Sequence, residues 1–316
     1  MDILYGPGQY SSPENVHTAV ALGCFDGVHA GHRKLIAGTA ERANADGLVP
    51  CVYTFINHPA RVISPDRAPK LLTTNRTKAE YISAAGARKL CFDWFDRAVC
   101  ETEPEDFVKN ILVGRLNVKL AAAGENYSFG RGGKGGAETL EKLGRKYGFA
   151  TYIMPPCRMD AGGAEQTVSS SLLRKCVGEG DFGTYSRLAK ADYMLEGTVA
   201  EGRRVGRKLG FPTANLRPCS ACALPPRGVY ATVCRISGED AVYRGITNVG
   251  NNPTFHDTDG SVSVETHLLG FAGDVYGKEL RVGFIRKMRD EIVFSDPSGL
   301  SRQIGEDAAA RAAMPV

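Results

Sequence analysis

The 316-residue sequence lacks any apolar run long enough to cross a bilayer, and its start, MDILYGPGQYSS, carries neither a basic n-region nor an apolar h-region. No helical membrane span is expected, and the location expected is cytoplasmic. Long basic runs are also missing: 39 Lys and Arg stand against 35 Asp and Glu, and the formal charge of +4 suits a polyphosphate ligand without making a nucleic-acid footprint. Neither a nucleic-acid nor a membrane partner is expected. The nine cysteines are an odd number scattered through apparent strands and helices, which favours reduced thiols over a disulfide framework. Only Cys219 and Cys222 form a C-x-x-C, and with no second pair nearby a four-ligand zinc site is disfavoured. The Walker spacing, internal repeats, low-complexity linkers and coiled-coil heptads are likewise absent.

What is present divides into two halves. Short apolar runs at Ala19–Leu22, Cys51–Phe55, Lys89–Phe92, Lys119–Ala123 and Thr151–Met154 alternate with helical patterns near 33–45, 75–85, 104–115 and 137–147. That alternation predicts a Rossmann-like α/β domain on a parallel sheet, with ligands at the carboxyl ends of its strands. Pro104, with Thr102 or Glu103 before it, marks a helix start. Beyond about residue 187, period-two segments at Val229–Ile236, Ala241–Asn248, Val262–Leu268 and Leu280–Ile285 predict an antiparallel β-barrel. A final helix is expected over 297–313, capped by Ser295 or Asp296. The boundary falls within 184–194, giving domains of 1–187 and 188–316.

The first half carries GCFDGVHAGH over residues 23–32, which closes a predicted strand and opens a helix expected near Arg33. A glycine-rich turn and two histidines then stand at a helix N-terminus, where free N–H groups and the helix dipole favour a phosphate. His29 and His32 are one helical turn apart and are expected to face one phosphate chain, with Gly31 leaving room for the nucleotide. GENYSFGRGGKGG, residues 124–136, reads as a mobile loop whose Asn126, Tyr127 and Phe129 suit a planar heterocycle, against the plainer reading of a surface turn. Ser169, Ser170 and Ser171 precede a helical segment and suit either capping or phosphate, with Arg174 one turn further on. Phe55, Asn57, His58 and Pro59 close another strand, where a turn or core role is equally compatible.

In the second half, GRRVGRKLGFPTANL over residues 202–216 combines glycines, basic residues and a Thr-x-Asn that suits phosphate and magnesium. Taken in order, GCFDGVHAGH, GENYSFG, SSSLLR, GRKLGFPTANL, NVGNNPTF, VETHLLGF and RDEIVF resemble the bacterial bifunctional riboflavin kinase/FAD synthetase family, from about Thr18 to Asp307.

That resemblance implies an N-terminal Rossmann-like adenylyltransferase and a C-terminal six-stranded kinase barrel with a closing helix. The substrates implied are riboflavin, FMN and ATP, with Mg2+ at both steps, and a homo-oligomer is compatible with it. By motif position, His29 and His32 would hold the ATP phosphates together with Gly23, Phe25, Asp26 and Gly31, assisted by Ser169, Ser170, Ser171 and Arg174. Phe55, His58, Pro59 and Asn126 would border the flavin. In the kinase, Gly206, Arg207, Gly210, Thr213 and Asn215 would take ATP, Thr213 and Asn215 would hold magnesium, and Glu265 would be the base. Read without the resemblance, Glu265 in the alternating V-S-V-E-T-H is a solvent-facing strand residue. Two departures stand out: Asn57 where the family's turn often has proline, and Gly270 where an aspartate commonly follows the strand.

The implied chemistry is coherent. A carboxylate beside the ribityl 5′-hydroxyl takes its proton as the terminal phosphoryl group moves. The FMN phosphate is already anionic, so adenylyl transfer needs alignment and charge neutralisation but no strong base. Two other readings stand beside this one: a riboflavin kinase with an inactive N-terminal module, and a flavin-binding sensor without turnover. The intact H-x-G-H argues against the first, and Glu265 with the magnesium ligands against the second.

Overall fold

The computed structural model describes residues 1–6, 8–9, 15–201, 210–251, 262–292, 294 and 296–315. It forms two compact units, Met1–Ser170 and Ser171–Val316.

In the first unit, strands β1 (Asp2–Tyr5), β2 (Thr18–Leu22), β3 (Val49–Phe55), β4 (Lys89–Asp93), β5 (Val118–Gly124) and β6 (Ala150–Met154) form one sheet in the order β1-β4-β3-β2-β5-β6. Every pairing in it is parallel. Central β2 reads TAVAL and is buried on both faces, as an apolar run without alternation requires. From β2 the chain builds outward through β3 and β4 on one side and through β5 and β6 on the other, so the strand order reverses between β2 and β5. Such a reversal opens a crevice at the carboxyl ends of the strands. Helices α1 (Ala30–Ala45), α2 (Ala60–Ile63), α3 (Asn75–Ala84), α4 (Arg97–Glu101), α5 (Pro104–Phe107) and α6 (Ala137–Tyr147) connect them. One sheet face packs Val20, Tyr53, Phe107, Leu112 and Leu140, and the other packs Phe25, Leu35, Ile36, Ile82 and Phe92. Each such side chain contributes roughly 1.5–3 kcal/mol on burial.

Three details depart from the sequence pattern. Helix α1 begins three residues before Arg33, because His29 is its N-cap. The helix expected over 104–115 is α-helical only through Phe107 and then widens to π geometry over Val108–Val113, where Gly114 N–H donates to Lys109 O at 3.0 Å. Strand β1 was not expected: its four residues, mostly exposed, pair with β4 at the sheet edge and leave too short a pattern to read. A small hairpin, β7 (Arg158–Asp160) and β8 (Glu165–Thr167), follows β6.

The second unit contains helices α7 (Ser170–Glu179) and α8 (Phe182–Ala189) and a barrel. Its strands are β9 (Tyr193–Ala200), β10 (Thr213–Pro218), β11 (Gly228–Ile236), β12 (Val242–Asn251), β13 (Val262–Leu268) and β14 (Glu279–Arg289), closed in the order β10-β13-β12-β11-β14-β9 and antiparallel throughout. Phe182 of α8 packs against Tyr193, Tyr230 and Phe284 of the barrel, and Tyr185 packs edge-on against Tyr193. These aromatic contacts draw the compact unit's limit back to Ser171, ahead of the change in sequence period near 187. Inside the barrel the buried hydroxyls of Thr232, Thr247 and Thr266 form a chain with 2.9 Å spacings. Gly245 stands where a Cβ would meet Thr232 Oγ1 and Cys234 Sγ at 2.6 Å.

Helix α9 (Pro297–Ala312) closes the chain, with Asp296 accepting from Gly299 N–H at 2.8 Å as its cap. Two arginines fasten it to the barrel. Arg289 of β14 donates to the Asp307 carboxylate through Nε at 3.1 Å and Nη2 at 2.7 Å. Arg311 is fully buried and donates from Nε and Nη2 to Thr232 O, both at 3.1 Å, beside a register shift in the β11–β14 pairing.

Candidate active sites

The turn after β2 is built against backbone preference. Phe25, Gly27 and Val28 have φ of +50°, +78° and +35°. For Phe25 and Val28 the left-handed region costs of order 1–3 kcal/mol each, so the surroundings must impose it. They do so by hydrogen bonds. The buried Asp26 carboxylate accepts from Leu72 N–H at 3.0 and 3.3 Å, Gly27 N–H donates to Thr73 Oγ1 at 3.3 Å, and Thr54 Oγ1 donates to Cys24 O at 3.1 Å. Asp26 and Phe25, expected beside ATP, also frame the turn: Phe25 is wholly buried, and a Cβ on Gly23 would sit 3.0 Å from its ring.

The frame delivers the two histidines to the first turn of α1. His29 Nδ1 accepts from His32 N–H at 3.3 Å, and the rings stack with centroids 3.6 Å apart and planes 16° apart. Because Nδ1 of His29 accepts, its ring proton resides on Nε2, a donor for an anion. Burial pushes the His29 pKa down to about 4 and that of His32 well below its ordinary value, with the His29 ring and Lys78 adding to the effect at His32. Both rings are therefore neutral near pH 7, and they stand beside a helix N-terminus as dipoles rather than as cations. At Gly31 a Cβ would lie 3.3 Å from both the His29 ring and Cys157 Cβ. His32 Nδ1 is buried without a hydrogen-bond partner among the described residues.

Beside this turn a shallow cleft, enclosing only about 10 Å³, is lined by Cys24, Asp26, Phe55, His58, Asn75 and Lys78, among others. Three of the residues expected at the flavin, Phe55, His58 and Pro59, line it, and the fourth, Asn126, is exposed on the loop after β5. His58 Nδ1 accepts from Ala60 N–H at 3.1 Å, and Phe55 packs edge-on against Phe95 at 5.1 Å. Within the glycine-rich loop Phe129 and Gly135 exchange backbone hydrogen bonds at 2.9 Å, and Phe129 is buried, stacking on Tyr127 at 5.7 Å. Its glycines permit close packing, as at Gly130, where φ is +71° and a Cβ would collide with Pro104 at 2.7 Å. Ser170 opens α7 and donates from its hydroxyl to Asp26 O at 2.9 Å. Ser169 precedes it, and Ser171 and Arg174 follow in the same helix.

Lys78 was missed in the sequence. It occupies a position on the buried stripe of α3 with Ala79 and Ile82, and a lysine at an apolar helical position was the signal available.

In the barrel the alternation of β10 and β13 sends Ala214, Leu216, Val264 and Thr266 inward and turns Thr213, Asn215, Glu265 and His267 to the outer face. In the register Asn215 and Asn248 both stand opposite Glu265, and Thr213 stands opposite His267. Thr213 Oγ1 reaches Glu265 Oε2 at 3.5 Å. Glu265 does not face open solvent, because β14 and α9 roof it. The cavity beneath them, about 240 Å³, is lined by Thr213, Asn248, Glu265, Arg289, Phe294 and Ile304, among others. A second cavity of about 610 Å³ is lined by Gly210, Phe271, Asp274 and Tyr276, and Thr213 and His267 border both. Gly210 has φ of +85°, and Gly206 and Arg207 lie outside the described residues. Gly270, the other departure from the family pattern, has φ of +73°, a conformation that an aspartate would adopt only with strain. The donors Thr213 Oγ1, Asn215 and the Glu265 carboxylate are hard oxygens on one strand face, a set that fits Mg2+.

The chain matches two family models in tandem: FAD synthetase over residues 11–172 and riboflavin kinase over residues 189–314. A bifunctional riboflavin kinase/FMN adenylyltransferase from Bacillus subtilis (strain 168) is 34% identical over 304 residues, covering 95% of this chain and 93% of its own. Its namesake from Escherichia coli (strain K12) is 32% identical, covering 97% and 96%. A crystal structure described as a macrolide-efflux protein from Streptococcus pneumoniae superposes with a TM-score of 0.87 at 26% identity over the whole of both chains. No helix among the described residues here is long and apolar enough to cross a membrane. With a parallel sheet carrying H-x-G-H at its switch point and a closed barrel carrying a roofed glutamate, the chain belongs to the bifunctional riboflavin kinase/FMN adenylyltransferase family, whose two activities make FMN from riboflavin and FAD from FMN.

Proposed function

We propose that the two reactions run at the two sites described, with residues 1–187 serving adenylyl transfer and 188–316 serving the kinase. The observation that carries the kinase assignment is the cross-strand placement of Asn215 opposite Glu265, with Thr213 Oγ1 at 3.5 Å from the same carboxylate. Glu265 takes the proton of the ribityl 5′-hydroxyl, the freed oxygen attacks the terminal phosphorus of ATP, and ADP leaves. Thr213 and Asn215 hold Mg2+, which when bound offsets charge on the phosphate oxygens. The first cavity takes riboflavin and the second takes ATP, so that transfer occurs where Thr213 and His267 border both.

At the adenylyl-transfer site His29 and His32 donate to the ATP phosphates at the α1 N-terminus, and Ser169, Ser170, Ser171 and Arg174 assist. The FMN phosphate attacks the α-phosphorus and pyrophosphate departs. Phe55, His58, Pro59 and Asn126 border the flavin. Free thiols at all nine cysteines and the modest charge of +4 agree with a cytoplasmic enzyme acting on small phosphates. Incubating the purified chain with riboflavin and ATP, with and without Mg2+, and separating the flavins by chromatography tests the reading. FMN followed by FAD, both dependent on Mg2+, is the expected result, and FMN that never proceeds to FAD would leave the first unit without its assigned role.

A further inference from the structure

Among the described residues of the first unit, Lys78 is the buried cation, with 7% of its surface exposed. A lysine ammonium carries three donors. Here Nζ has one hydrogen-bond acceptor among the described residues, Phe55 O at 3.3 Å, and its side chain lines the cleft beside the H-x-G-H turn with Cys24, Asp26, His58, Thr73 and Asn75. Burying an ammonium is costly unless a charge or several hydrogen bonds compensate it. Asp26 lies close enough to favour the charged form, yet its carboxylate is also engaged by the Leu72 N–H. The compensation within the fold is thus partial, and the cation is directed at a small polar cleft at the carboxyl ends of the strands.

We propose that Lys78 binds the phosphate of FMN and supplies the positive charge of the adenylyltransferase site. The proposal deepens the reading that FMN occupies this cleft and rests on it. FMN is favoured over ATP as the partner because Lys78 shares the cleft with Phe55, His58 and Pro59 and donates to the Phe55 carbonyl, on the side of the turn assigned to the flavin. The chemistry requires such a group. When the FMN phosphate oxygen attacks the α-phosphorus and the bond to pyrophosphate breaks, two anions are brought together, and the histidine pair brings no charge to separate them. Burial pushes the Lys78 pKa down, and the His32 pKa is lowered by its own burial first, then by the His29 ring and the Lys78 ammonium.

The test is steady-state FAD formation by the full chain with FMN and ATP varied separately, for Lys78→Met and Lys78→Arg. Met keeps the length and apolar stem of the side chain. A lost charge-assisted hydrogen bond corresponds to roughly 10- to 100-fold. The expected result is therefore a rise of that size in KM for FMN in Lys78→Met, with KM for ATP unchanged and Lys78→Arg recovering much of the affinity. A rise in KM for ATP alone, unchanged kinetics, or loss of cooperative unfolding in Lys78→Met would each assign Lys78 elsewhere and overturn the proposal. If the wild-type chain itself made no FAD, the failure would lie with the adenylyltransferase reading.

Discussion

Asn57 and Phe95 exchange two hydrogen bonds: Asn57 Nδ2 donates to Phe95 O at 2.8 Å, and Phe95 N–H donates to Asn57 Oδ1 at 2.9 Å. The side-chain amide thereby acts as a one-residue strand, tying the turn after β3 to the segment after β4. Proline, common at this turn in the family, offers neither bond. The pair holds Phe95 edge-on against Phe55, which lines the cleft beside the H-x-G-H turn, next to the exposed Trp94.

Asn57→Ala should lose both bonds at a cost of about 1–3 kcal/mol. It should also raise KM for FMN in FAD synthesis while riboflavin phosphorylation in the barrel stays unchanged. Chemical denaturation and the two activity assays check this, and an unaltered KM in a destabilised variant would confine Asn57 to the fold.

The neutrality of the His29 and His32 rings gives a pH signature. The pKa of His29 in the fold, about 4, lies below its ordinary 6.5. The native state therefore binds fewer protons than the unfolded chain between those values. The stability so contributed is fully present above pH 6.5 and is lost as pH falls towards 4, an amount of roughly 3 kcal/mol. FAD synthesis should show no histidine titration between pH 6 and 8. His29→Ala and His32→Ala should each lower its turnover by about 10²–10³ with the kinase preserved. A rate that follows a single ionisation near 6.5 would contradict the neutral pair.

Much of this was legible in the sequence where local pattern and burial agree. The TAVAL, VPCVYTF and KLCFD runs became the centre of the parallel sheet, and the strict alternation of V-S-V-E-T-H became β13 with Glu265 on the outer face. What escaped depends on contacts remote in the chain. No local rule shows that Asp26 is fixed by Leu72, 46 residues away, or that Phe129 is core despite its glycine neighbours. The roof over Glu265 is a tertiary event, for α9 reaches it through Arg289 and Asp307, and a lone strand pattern reads such a glutamate as solvated.

Glu265→Gln should abolish FMN formation and leave FAD formation from supplied FMN nearly intact, since a neutral amide cannot accept the hydroxyl proton. Asn215→Ala, on the facing strand, should instead raise the Mg2+ concentration needed for half-maximal kinase rate. Product analysis from riboflavin and from FMN separates the two effects. A normal Mg2+ dependence in a folded Asn215→Ala protein would remove the metal role.

The Arg289–Asp307 pair provides the last test, because it joins β14 to α9 and both residues line the cavity over Glu265. The side chains are 20% and 8% exposed, so removing the carboxylate leaves a guanidinium that water reaches poorly. Breaking such a pair from one side costs about 3 kcal/mol. Asp307→Ala should therefore loosen the helix that carries Leu300 and Ile304 over the cavity, raising KM for riboflavin more than KM for ATP. Asp307→Asn, which keeps an acceptor oxygen for Arg289, should fall between it and the wild type. FAD synthesis from FMN serves as the internal control, since His29, His32 and Lys78 belong to the other unit. If Asp307→Ala loses stability by this amount yet phosphorylates riboflavin with unchanged KM, the α9 roof is a structural brace and the cavity beneath it is not where riboflavin binds.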